Sequence, residues 1–189
     1  MGVTFTNTSL VPGADMFGNG ITGVETMPRE TALSGQTLGT SGSMRLNYFT
    51  PQTSKTVSTA VMVCGGTAAS ATPTLIRIGI YSVASNGDIT LVSSTANDTA
   101  LFASTNSEVT KALSSSYTLL GGQRYAGGIL VVTGGTLPTP AGSAPAAGSA
   151  TLSRAPRRTG LVTGQTDLPS TVAAGSIVAS GAIHWMAFV

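Results

Sequence analysis

From residue 72 to residue 82 the chain reads TPTLIRIGIYS, with isoleucine at every second position: Ile76, Ile78 and Ile80. A period of two is the repeat of a strand, whose successive side chains point to opposite faces. The spacing sends these isoleucines inward and Arg77 and Tyr81 outward. Gly79 within the run marks a bulge or a closely approaching backbone. The alternation recurs elsewhere. SMRLNYFT sets Met44, Leu46 and Tyr48 on one side, and KTVSTAVMVC sets Val57, Thr59, Val61 and Val63 on one face. SNGDITLVSS joins an Asn-Gly turn to a strand over 89–93, a strong hairpin signal. EVTKAL and YTLL are two short strand candidates. GQRYAGGILVVTGG is apolar on both faces near 129–132, as a central strand is. The closing GAIHWMAFV places Ile183, Trp185, Ala187 and Val189 on a common face.

Helices have little room beside these strands. The 24 glycines and 9 prolines disfavour long helices almost everywhere, and ANDTALF offers a single helical turn capped by Asn97 or Asp98. Short strands separated by turn signals predict an all-β fold, a single jelly-roll-like β-sandwich. Its predicted core contains Ile76, Ile78, Ile80, Val61, Val63, Leu130 and Val132 between two sheets. The sandwich is expected over 39–189, with a Pro/Gly/Ala-rich loop near 134–150 and a mostly irregular LSRAPRRTGLVTGQTDLPS. Residues 1–38 lack sustained periodicity and read as an extended N-terminal arm with one short strand. Val3, Phe5, Leu10, Val11, Met16, Phe17, Ile21 and Val24 are too scattered to form a core and too many to leave in water. Such a segment is expected to lie along another surface, adding a strand to an edge or seating side chains in grooves.

Signatures of chemistry are few. GNGITG, residues 18–23, spells G-x-G-x-x-G, but a dinucleotide loop must follow a strand and open a helix. Here GADMF is a poor strand, Pro28 stands where the helix belongs, and LGTSGS supplies no acid for a ribose. The sole histidine, His184, lies in the last strand; Asp88, Asp98 or Asp167 would have to orient it, and no serine sits in G-x-S-x-G. One histidine and one cysteine do not make a usual metal site, and Cys64, which closes an apolar run, reads as a small buried hydrophobe. Asp88 and Asp98 stand in turn-like contexts that suit capping better than paired-carboxylate catalysis. The sequence thus predicts no catalytic, cofactor-binding or metal-binding residues, and no enzyme activity.

Charge is the scarce ingredient. Charged residues make up 8% of the chain, against a usual ~25%, and the net charge of +2 gives a pI near 9.0. Only Arg154, Arg157 and Arg158 cluster, too narrow a basic face to predict nucleic-acid binding. No apolar run approaches the ~20 residues of a membrane span, and no signal peptide is read. MGVTFT matches a myristoylation pattern and NTS and NDT are sequons at Asn7 and Asn97, patterns too short to weigh without a matching cellular context. So little charge also gives little protection from association, which points to life in an assembly, as a homo-oligomer with a trimer among the candidates. Tyr48, Phe49, Tyr81, Tyr117, Tyr125 and Trp185 are read as fillers of the core or of a seam between subunits, not as sugar platforms.

The order of segments is informative in another way. LNYFTPQTSKTVSTAVMVCGGTAASATPTLIRIGIYSV, then GDITLVSSTANDTALFAS and YTLLGGQRYAGGILVV, resembles small structural proteins of tailed phages that infect actinobacteria, usually labelled minor tail proteins. The resemblance covers about residues 40 to 189 and is strongest at YFTP, ATPTLIRIGIYS and GQRYAGG; APRRTGLVTGQTDLP also looks like that group. It implies a non-enzymatic virion protein at the particle surface, partnered by tail or major capsid subunits. The alternatives are a capsid decoration protein on the outer head surface and a carbohydrate-binding module for a host surface glycan.

Overall fold

The computed structural model describes residues 23–70, 73–144 and 158–189. Of these, 47% lie in strands and 4% in helix, and the sheets pack as a sandwich. The all-β expectation is therefore met. In chain order the strands are β1 (Val24–Glu25), β2 (Ser34–Gly35), β3 (Met44–Phe49), β4 (Lys55–Cys64), β5 (Leu75–Val83), β6 (Ile89–Ser94), β7 (Ser107–Leu119), β8 (Tyr125–Val132), β9 (Ala141–Ser143), β10 (Thr159–Val162), β11 (Thr171–Val172), β12 (Ile183–His184) and β13 (Ala187–Phe188). They form a four-stranded sheet β1-β13-β4-β7, a six-stranded sheet β10-β3-β8-β5-β6-β11 and a small sheet β12-β9-β2. Every described pairing of named strands is antiparallel.

The main core lies between the four- and six-stranded sheets. Ile76, Ile78 and Ile80 fill it from β5 as the alternation predicts, each without exposed surface. Shortening Ile78 to alanine removes atoms from the centre of this packing. Ile78→Ala is expected to cost about 2–5 kcal/mol of unfolding free energy in a urea titration; a loss below about 1 kcal/mol would contradict this register.

The prediction for β4 was out of phase. Val57 does face the main core, but so do Ala60, Met62 and Cys64, while Val61 and Val63 point to the opposite face of the sheet. The cause is an irregularity in the ladder. Val57 pairs with Tyr117, yet Thr59 pairs with Ala112, so the phase slips across Ser58 and the serines of β7. On the other edge of β4, Ser58 and Thr59 both donate backbone N–H groups to the Val189 carbonyl, and Val189 donates back to Thr59. A bulge of this kind shifts every later side chain to the other face. β7 itself is one strand of 13 residues where two short ones were predicted, with its polar Ser114–Ser115–Ser116 centre inside the irregularity.

The outer face of the six-stranded sheet is also covered. Residues 159–177 cross it and bring Val162, Leu168, Val172 and Ile177 against Met44, Leu46, Tyr81 and Leu130. Tyr81 therefore points away from the main core, as predicted, yet is fully buried. Leu130 and Val132 belong to this second core too, not to the space between the sheets. Gly79 and Gly128 pair across β5 and β8, and a Cβ on Gly128 would stand 2.9 Å from the Tyr81 ring. Two bare positions make room for one large ring. A third cluster, Met27, Val61, Ile183, Trp185 and Ala187, lies on the outer face of the four-stranded sheet.

Two further expectations change. ANDTALF forms hydrogen-bonded turns: Asp98 accepts the Ala100 N–H and its carbonyl accepts that of Leu101, without a helix. The described part of the expected arm, residues 23–38, is part of the sandwich. β1 pairs with β13, β2 pairs with β9, and Leu38 is buried in the main core. These contacts are made by single apolar residues in an irregular path, so no period announced them.

Candidate functional site

Of the predicted arm residues, Val3, Phe5, Leu10, Val11, Met16, Phe17 and Ile21 lie outside the described residues. Val24 lies inside them. It pairs with Phe188 and packs against the main core, so the surface that receives it is an edge of its own sheet. Thr26 completes the attachment: its hydroxyl donates to the His184 carbonyl (2.9 Å) and accepts the Met186 N–H (3.0 Å). Arg154 and Arg157 also lie outside the described residues, whereas the Arg158 carbonyl accepts the Tyr48 N–H.

The acids named in the sequence reading are each held by a different partner. Asp88 accepts N–H groups from Ala174 and Asn86, which hold its carboxyl below the usual range. Asp98 is lowered first by the Lys111 ammonium at 2.8 Å and then by the Ala100 N–H. Both oxygens of Asp167 accept from one Arg77 nitrogen, at 2.7 and 3.0 Å, tying residues 163–168 to β5, and its Oδ1 also accepts the Leu168 N–H. None of them is bonded to His184. Cys64 is buried, and desolvation pushes its thiol up. Among the described residues no group of three His, Cys, Asp or Glu could hold a metal ion.

Most aromatic rings are inside. Trp185, Tyr81, Tyr125, Phe49, Phe102 and Phe188 are buried. Tyr48, on β3, and Tyr117, on β7, are half-buried and belong to different sheets. Arg124 lies over the Tyr48 ring, 4.4 Å from its centroid, beside a cleft of about 230 Å³ also lined by Val83, Asn86, Gly87, Ala174 and Ile177. Burial lowers the Arg124 pKa, as expected for a guanidinium lodged against a ring and an apolar wall.

The polar centre that sequence reasoning missed surrounds His184. Its backbone N–H donates to Asn47 Oδ1 at 2.8 Å, and its side chain has no exposed surface. Beside it, Arg45 donates from Nε to the Leu38 carbonyl (2.7 Å) and from a terminal nitrogen to Ser180 Oγ (2.6 Å). Thr159 donates to the Ser180 carbonyl. The backbone of Gln36 and Thr37 lies near the imidazole and favours its charged form. Neither ring nitrogen, however, makes a hydrogen bond of ordinary length and angle to a described residue. Desolvation, helped by the Arg45 charge, pulls the imidazole down to about 4. A base of that strength, walled from solvent and from any serine nucleophile bonded to it, is poorly placed for acid–base chemistry near neutrality.

No protein-family model matches the chain, and no curated protein matches it. Three of the segments quoted in the sequence analysis meet in the fold. YFTP runs through the end of β3, TLIRIGIYS covers most of β5, and GQRYAGG enters β8, and these strands are neighbours in the order β3-β8-β5 at the centre of the six-stranded sheet.

Proposed function

We propose that this chain is a non-enzymatic structural protein of a tailed-phage virion, a minor tail protein that assembles through its sandwich and the residues preceding it. The observation that carries the reading is how the chemically capable side chains are spent. The sole histidine and the sole cysteine are buried, and Asp88, Asp98 and Asp167 fasten turns and covering segments to the sheets. What the sandwich leaves outward is largely uncharged. On β7 the exposed residues are Glu108, Thr110, Ala112, Ser114, Ser115, Ser116 and Thr118, with Glu108 the one charge among them. A surface of small uncharged side chains on a rigid sheet suits permanent packing against neighbours, because little charge has to be desolvated.

The phage resemblance supplies the kind of neighbour: tail or major capsid subunits, with further copies of this chain in a homo-oligomer. The glycan alternative has weaker support, since among the described residues a sugar platform would have to be built from Tyr48, one face of which lies against Arg124, or from Tyr117 on the other sheet. The test is to locate the protein in purified particles by cryo-electron microscopy and quantitative mass spectrometry. A few copies at the tail support the minor tail assignment. Hundreds of copies on the head would replace it with the decoration reading, and absence from washed particles would overturn the virion reading altogether.

A further inference from the structure

We infer that His184 and Arg45 form an acid-sensitive latch: a fully buried imidazole and a half-buried guanidinium together hold residues 34–39 and the small sheet on the sandwich, and acidification releases them. The latch joins pieces distant in sequence. Arg45 stands on β3 of the six-stranded sheet, grips residue 38 through its carbonyl and residue 180 through its hydroxyl. His184 stands on β12, which pairs with β9, and β9 pairs with β2. Gly39, with φ +92°, lets the chain pass over the guanidinium, where a Cβ would stand 2.7 Å from its nitrogen.

The groups acting on the imidazole are one cation, Arg45 from β3, and the backbone of Gln36 and Thr37 after β2. Asn47 from β3 and Thr26 from the segment after β1 hold the backbone of the same residue, at its N–H and its carbonyl. Among the described residues Arg45 is the only charge acting on the ring. The Glu25–Arg29 ion pair serves the other side, where Arg29 lies 5.2 Å from the centroid of Trp185. Trp185 shares its cluster with Ile183 and Ala187, opposite in phase to His184. A proton on His184 would therefore put a buried cation beside the half-buried Arg45 with no counter-ion among the described residues, a costly arrangement.

The pH window follows from the direction of the shift. Burial and Arg45 lower the closed-state value to about 4, from 6.5 when the ring is free. Above 6.5 the ring is neutral in both states and costs nothing. As pH falls from 6.5 to 4, the opened form takes up a proton that the closed form refuses, and the closed-to-open ratio falls up to about 300-fold. Below 4 both forms are charged and this group causes no further loss. Asp88 and Asp98, whose values lie below 3.8, give up their stabilisation only under that window.

The chain has one histidine, so its imidazole signal in an NMR titration of the full chain is unambiguous. The expected result is a ring that stays neutral well below pH 6. Hydrogen-exchange protection of residues 34–39 and 183–186 should fall steeply between pH 6.5 and 4, while residues 76–80 stay protected. His184→Gln should flatten that dependence, and Arg45→Met should move the ring's titration upward towards 6.5. If His184→Gln fails to fold, the wild-type and Arg45→Met titrations decide alone. Titration of wild-type His184 near 6.5 with protection unchanged would overturn the latch, as would unaltered pH dependence in a folded His184→Gln.

Discussion

Deleting residues 1–38 is expected to prevent stable folding, whereas deleting residues 1–22 should leave a sandwich that melts within a few degrees of the full chain. The division follows from what residues 23–38 contribute. Leu38 is buried in the main core, Met27 in the cluster with Trp185, and Val24 packs behind Phe188. Burying Leu38 and Met27 stabilises by about 1.5–3 kcal/mol each, and the partly buried Val24 adds less. Thr26 adds hydrogen bonds to the backbone on both sides of Trp185, worth about 0.5–1.5 kcal/mol apiece. The sum is comparable with the ~5–15 kcal/mol that separates most folded domains from unfolding. Circular dichroism melts of both truncations check the claim. A 1–38 deletion that melts like the full chain would show that residues 23–38 are an appendage after all.

The same pair of truncations separates folding from assembly. A protein lacking 1–38 would be missing from particles for the uninformative reason that it does not fold. A protein lacking 1–22 tests the assembly role proposed for Val3, Phe5, Leu10, Val11, Met16, Phe17 and Ile21. It should fold and yet fail to enter particles; normal incorporation would remove the assembly role of that segment.

The sequence pattern disclosed what depends on local periodicity. Ile76, Ile78 and Ile80 repeat strictly, and all three sit where the repeat put them. Ile183, Trp185 and Ala187 likewise share one buried cluster, with Val189 packed against it. The Asn86-Gly87 hairpin is present, with Gly87 at φ +90° as its turn needs. Periodicity carries no information about an interrupted ladder. Val61 and Val63 continue the visible alternation from Val57, but the ladder slips at Ser58, where the chain also bonds Val189, 131 positions away. Nor does alternation say what covers the second face. Tyr81 was rightly sent outward, and only the path of residues 159–177 decides that outward is still inside.

The centre around His184 was illegible for a related reason. A histidine in an apolar strand reads as a structural residue, and here its side chain is buried. Its character, however, depends on Arg45 and on the backbone after β2, neither near it in sequence. A cue was present in the phase of the last strand: if Ile183, Trp185 and Ala187 share a face, His184 and Met186 must share the other. That face turns towards β3, where Asn47 is buried and bonded to the His184 backbone. A buried asparagine opposite a buried histidine signals a polar centre, but only once the two strands are known to meet.

The largest single-residue effect is expected at Phe188, the penultimate residue. Its side chain has no exposed surface, and its ring stacks on Phe49 with centroids 5.7 Å apart. Phe49 stacks in turn on Tyr125 at 6.0 Å, and Tyr125 meets Tyr117 edge-on at 6.2 Å. This row of rings crosses between the two large sheets, so its first member fastens the end of the chain to both. Phe188→Ala should cost about 3–5 kcal/mol and lower the melting temperature by roughly 10 °C for a domain of this size. Leu33→Ala, at a side chain 82% exposed, should change stability by less than about 0.5 kcal/mol. Gly127 provides a sharper check than either alone, because a Cβ there would stand 3.1 Å from the Phe188 ring and 2.9 Å from Met186 Sδ. Gly127→Ala should destabilise the wild-type chain by about 1–3 kcal/mol through overpacking. In a Phe188→Ala background the added methyl enters vacated space, so the double mutant should be more stable than the two single losses summed. Strict additivity would mean that Phe188 does not fill the space over Gly127, and the row of rings would lose its place at the centre of the fold.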